Sequence, residues 1–65
     1  MKVLYKAQVH SEKGWQDLSS QWFTDFHVAK NLVKSLAKPR LNHKRVIKKI
    51  ITNSNSYQIS LAYTD

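Results

Sequence analysis

Sixty-five residues with 42% hydrophobic content, no cysteine and a formal net charge of +7 make one small, strongly basic domain, residues 1–65. A chain this short buries only about 60% of its unfolded surface, and without a staple its net stability is rarely above about 3–5 kcal/mol. The composition excludes a disulfide framework, a thiolate metal site and a cysteine nucleophile, while two Trp, three Tyr and two Phe argue against intrinsic disorder.

Residues 1–6 lack the apolar stretch of a signal peptide, and no run approaches the roughly 18 apolar residues of a membrane span. The absence of cysteine fits a reducing cytoplasm, which is the expected setting. Val3, Tyr5, Ala7 and Val9 alternate with Leu4, Lys6, Gln8 and His10, the period-two pattern of a half-buried strand. Ser11 to Gly14 supplies a turn in which the only glycine is free to take a positive φ. Residues 15–23 form a weaker strand candidate, because Leu18 and Trp22 share one parity while Trp15 and Phe23 fall on the other.

The next segment is helical. Thr24 is placed to cap it and Asp25 to sit in its first turn, where a carboxylate complements the helix dipole. Phe26, Ala29, Leu32, Val33, Leu36 and Ala37 then fill one arc of roughly 140°. Lys30, Lys34 and Lys38 recur on the opposite side, Val28 lies off the apolar arc, and Pro39 disfavours helical geometry at Lys38. In residues 44–52, Val46, Ile47, Ile50 and Ile51 have helical spacing, with Asn42 as a possible cap. Their β-branching favours a strand instead. After a turn at 53–56, Tyr57, Ile59, Leu61 and Tyr63 alternate cleanly with Gln58, Ser60 and Ala62. An antiparallel hairpin with 44–52 is the shortest connection. The expected architecture is α+β: a small antiparallel sheet in the order β-β-α-β-β along the chain, with one amphipathic helix packed on one face.

Charge is distributed unevenly along this plan. Residues 1–25 balance Lys2, Lys6 and Lys13 against Glu12, Asp17 and Asp25, whereas residues 26–64 carry Lys30, Lys34, Lys38, Arg40, Lys44, Arg45, Lys48 and Lys49 with no acid. A face built only for solubility mixes both signs, so 39 residues without a carboxylate point to an anionic partner, either phosphates or an acidic protein surface. These eight residues are the candidate binding set. If the loop and the following strand lie beside the helix, they form one strip, each phosphate contact adding salt-dependent affinity.

Trp15, Trp22, Phe23, Tyr57 and Tyr63 can stack on bases, although a domain short of large side chains needs most of them as core. Trp15 follows the turn glycine and is the candidate for an exposed aromatic contact. Only Asn31 on the Lys-rich helix offers an amide for reading a base edge, and the sequence holds no RNP-like run, zinc-finger spacing or helix-turn-helix pattern.

Catalysis is not expected. The sequence has no nucleophile elbow, phosphate loop or metal motif, and His10, His27 and His43 are too far apart for local ligation. Asp17 and Asp25 are the only carboxylates near enough to pair, and Asp25 already has a role at the helix start. No cofactor or metal is implied. A free sheet edge at 44–52 or 57–63 offers a different mode of action, pairing with another protein or with a second copy as a homodimer.

The Met1-Lys2 strand with Tyr5, the helix string Ala29-Lys30-Asn31-Leu32 and the closing Leu61-Ala62-Tyr63 resemble small phage or mobile-element anti-CRISPR proteins, in particular type I-F inhibitors built of a sheet and one helix. That resemblance implies a non-enzymatic inhibitor docked on an RNA-guided surveillance complex, where it blocks nucleic-acid access. Some members also engage DNA through positive residues. Phe23-Thr24 with Ala29 is similar to the helix start of arm-binding N-terminal domains of phage integrases, which lay a sheet in the DNA groove. The functional expectation is a basic, non-catalytic binding protein of the inhibitor kind. A general DNA- or RNA-binding accessory protein using the same residues is the alternative.

Overall fold

The computed structural model describes residues 1–35 and 44–64. Along the chain it has β1 (Lys2–Ser11), β2 (Gly14–Asp17), α1 (Phe26–Ser35), β3 (Lys44–Asn53) and β4 (Ser56–Thr64). The four strands form one antiparallel sheet in the order β2-β1-β3-β4, with α1 on one face against β1 and β3. This is the expected β-β-α-β-β arrangement. The helical residues expected at Leu36 and Ala37, the stop at Pro39, and the cations Lys38 and Arg40 lie outside the described residues.

Each hairpin closes through side chains suited to a tight turn. Gly14 adopts φ 99°, and Ser11 Oγ donates to the Gly14 carbonyl at 3.3 Å. Its left-handed backbone is one that a β-carbon would strain. Between β3 and β4, Asn53 Oδ1 accepts from the Asn55 amide at 2.8 Å, the local bond that makes Asn a turn residue. Residues 44–52, where helical spacing competes with β-branching, form the long strand β3 between β1 and β4. Tertiary pairing on both sides favours the pleated geometry that Val46, Ile47, Ile50 and Ile51 prefer.

Two local expectations are corrected. Asp25, not Thr24, caps the helix: its Oδ1 accepts from the His27 amide at 2.9 Å, and α1 begins at Phe26. Residues 15–23 are also not one strand. β2 ends at Asp17, the Leu18 amide donates to the Ala7 carbonyl, and residues 19–21 turn on Ser19 Oγ. Phe23 then rejoins β1, exchanging 2.7 Å backbone bonds with Tyr5. This excursion resets the parity, placing Leu18 and Phe23 against the core and leaving Trp15 and Trp22 on the other side.

The core lies between α1 and the sheet and is built of small side chains. Ala7, Ala29, Val33 and Val46 are fully buried, ringed by Tyr5, Leu18, Phe23, Phe26, Leu32, Ala62 and Tyr63. Alanines at 7 and 29 let helix and sheet approach closely, and each buried valine contributes about 1.5–3 kcal/mol. The described part of the helix's apolar arc, Phe26, Ala29, Leu32 and Val33, faces inward as its spacing predicts, and Val28 is exposed.

Candidate nucleic-acid interface

Register fixes which residues share the side of the sheet that α1 does not cover, because paired residues point the same way. β1 contributes Lys2, Leu4, Lys6, Gln8 and His10, while β2 adds Trp15 and Asp17. β3 contributes Arg45, Ile47, Lys49 and Ile51, and β4 contributes Tyr57, Ile59 and Leu61. Between Val46 and Ile47 the register with β4 shifts, because Ala62 is an extra residue on that strand. This bulge sends Tyr63 to the helix side, where it meets Phe26 edge-on at 6.3 Å between centroids. Tyr57, Ile59 and Leu61 stay on the uncovered side. The sequence alternation alone put all four on one face; the bulge separates them.

On this open face cations and aromatic rings form a continuous ladder across the sheet. The Arg45 guanidinium stacks on Trp15 at 3.8 Å from the ring centroid, and its Nε donates to Gln8 Oε1 at 2.8 Å. Gln8 Nε2 donates in turn to Asp17 Oδ1 at 2.7 Å, and Lys6 Nζ reaches Asp17 Oδ2 at 3.4 Å. Lys6 also lies 4.6 Å from the Trp22 centroid. Lys49 sits 5.4 Å from Trp22 and 4.5 Å from Tyr57. The ladder runs from Trp15 on β2 to Tyr57 on β4, and His10 meets the edge of Trp15 at 5.1 Å. Each cation–π contact contributes about 0.5–1 kcal/mol where exposed and about 2 where desolvated. The larger consequence is geometric, since the rings are held in place before any ligand arrives.

The face is accessible. Trp15 is 37% exposed and Tyr57 63%, with Ile59 and Leu61 beside them at 47% and 54%. Lys6 is almost buried, its charge paired with Asp17, so the outward cations are Lys2, Arg45 and Lys49. A pre-set array of rings with guanidinium and ammonium groups between them can stack planar π systems and neutralise anions attached to them.

Of the eight basic residues expected to form one strip, the six that are described are divided between the two sides of the sheet. Arg45 and Lys49 join the open face, whereas Lys44 and Lys48 pair with Val9 and Tyr5 and point to the helix side. Lys30 lies 5.0 Å from the Tyr63 centroid and 5.9 Å from Phe26, and Lys34 is exposed on α1. Period-two geometry forces this split, since Lys44 and Arg45, like Lys48 and Lys49, are sequence neighbours in one strand and point to opposite sides. Trp15, the expected aromatic contact, is on the open face. Sequence reasoning missed Lys2, Lys6 and Gln8, and it expected most of the aromatic residues in the core, whereas Trp22 and Tyr57 lie on the open face. The alternation of β1 carried the signal for the first three, whose positions are those opposite Val3, Tyr5 and Ala7.

The chain is thus a small α+β protein with one sheet face under a helix and the other carrying a cation–aromatic ladder. Among known proteins no family model matches it, and no curated protein or solved structure matches it either. Among the described residues no group of side chains could hold a metal ion, and no helix is long and apolar enough to cross a membrane.

Proposed function

We propose that this protein is a non-enzymatic binding protein whose open sheet face takes single-stranded nucleic acid. The observation that carries the reading is the ladder. Trp15, Trp22 and Tyr57 are interleaved with Arg45 and Lys49 on the one sheet face the helix leaves uncovered. Bases stack on such rings without sequence preference, because every base has a π face, and the cations track the backbone. Paired bases in a duplex cannot reach the rings, so single strands are the preferred form. Lys30, Lys34, Lys44 and Lys48, away from this face, add to the field that draws the strand in.

Docking on an RNA-guided surveillance complex, which the anti-CRISPR resemblance implies, is the reading this face favours less. Protein interfaces are depleted of lysine at their centres, whereas this centre holds Lys6 and Lys49 among its rings. Competition with target strands for access to a nucleic-acid-handling complex is compatible with direct binding, and the protein would then act by occupying the strand.

Fluorescence anisotropy of labelled single-stranded and duplex DNA tests the reading. Three phosphate contacts, from Lys2, Arg45 and Lys49, give a log–log slope of about −2, or roughly a 20-fold loss of affinity between about 50 and 200 mM salt. The single strand should bind more tightly than the duplex at either salt. Equal affinity for both forms would contradict use of the stacking face, and no binding at low salt would contradict the reading altogether.

A further inference from the structure

Among the described residues no strand lies beyond β4, and along Tyr57 to Leu61 the outer edge of the sheet has no strand partner among them. Natural edge strands are protected by lysines, prolines, shortness or bulges. Residues 56–64 carry no charged side chain and no proline, in a chain of net charge +7, and the strand is nine residues long. Its pairing with β3 shifts register at Ala62 and again at Thr52 beside the turn, which leaves Tyr57 to Leu61 regular. The opposite edge is different in kind: β2 has four residues and includes Asp17, already engaged by Lys6 and Gln8.

We propose that β4 pairs antiparallel with β4 of a second copy of this chain, about a two-fold axis at Ile59, to give an eight-stranded sheet. The occupant follows from self-complementarity. With the axis at Ile59, Tyr57 of each copy faces Leu61 of the other, Ile59 faces Ile59, and Gln58 faces Ser60. Apolar side chains meet apolar ones on the open face, and an amide meets a hydroxyl on the other. No charge is brought opposite a like charge, the arrangement an isologous strand pair requires. The uncharged strip is also where two copies with the same positive charge can approach at least cost. Tyr57, Ile59 and Leu61, now 63%, 47% and 54% exposed, gain their counterparts as lateral neighbours, and the face they share stays open. The two ladders then lie on one continuous face.

Sedimentation velocity on the full chain across a salt series tests this. The expected result is a dimer that strengthens as salt rises, because repulsion between the copies is screened. Nucleic-acid affinity moves the opposite way with salt, so failure of one proposal is distinguishable from failure of the other. Ile59→Glu should shift the population to monomer. Within one copy the new carboxylate faces Lys49, its cross-strand neighbour, and the circular dichroism spectrum should be unchanged. Across the axis it faces its own copy. Since the chain has no cysteine, Ile59→Cys gives a second readout. It should form an intermolecular disulfide on mild oxidation, while Tyr57→Cys and Leu61→Cys should cross-link only when mixed. A wild-type monomer at every salt overturns the proposal and leaves the edge to a strand of another protein. A dimer that survives Ile59→Glu, or cross-linking no faster at 59 than at Lys13→Cys in the distant turn, overturns the pairing.

Discussion

The double variant Trp15→Ala/Tyr57→Ala is expected to bind single-stranded DNA at least about 30-fold more weakly than the wild type, since each lost stacking ring is worth about 1–3 kcal/mol. The two rings stand on β2 and β4, the outer strands of the sheet, so their effects should nearly add. Neither belongs to the core between helix and sheet, and the fold should survive their removal. Lys30→Ala/Lys34→Ala on the helix provides the contrast. Removing two remote charges should lower affinity less than about tenfold, and mainly at low salt. Binding assays on the two double variants therefore report which side of the sheet meets the strand. If the helix variant lost more affinity than the aromatic one, the strand would have to bind on the helix side.

The second large effect concerns stability. Val46→Asp should unfold the protein. Val46 is fully buried in β3, packed in one cluster with Ala7, Ala29 and Val33, and no polar side chain belongs to that cluster. Burying an unpaired carboxylate costs several kcal/mol, as much as the about 3–5 kcal/mol available to an unstapled domain of this size. Loss of the circular dichroism signal and of a cooperative thermal transition is the expected outcome. The neighbouring Ile47 points to the open face through the alternation of the strand, so Ile47→Thr should retain a cooperative transition. A cooperative melt for the Val46→Asp variant would mean that helix and sheet are not held together by this cluster.

The fold was legible where a single period ran uninterrupted. The alternation of β1 from Val3 to Val9 and the inward arc of Ala29 and Val33 are local properties, and the structure follows both. Parity was misread where the backbone leaves its period. The excursion at residues 18–21 brings Trp22 to the same side as Trp15, and the extra residue at Ala62 carries Tyr63 away from Leu61. Neither site has a glycine or proline to mark it, because both are set by pairing with a distant strand. The candidate site was harder to read for a related reason. A run of basic residues in a strand looks continuous in sequence but alternates between faces, so Arg45 and Lys49 part from Lys44 and Lys48. Trp15 lies 30 residues from Arg45, and Trp22 and Tyr57 lie 27 and 8 residues from Lys49, so strand register is what brings these side chains together. The net charge announced an anionic partner, but which face meets it depended on the position of the helix.

Both tryptophans of the chain, Trp15 and Trp22, lie on the proposed binding face, so their intrinsic emission is the most direct probe of the central claim. Titration with an unlabelled oligothymidylate at low salt should quench this emission saturably as bases stack on the rings, and raising the salt should reverse the quenching. Binding seen by anisotropy with no change in tryptophan emission would contradict the account, because the strand would then be held away from the open face.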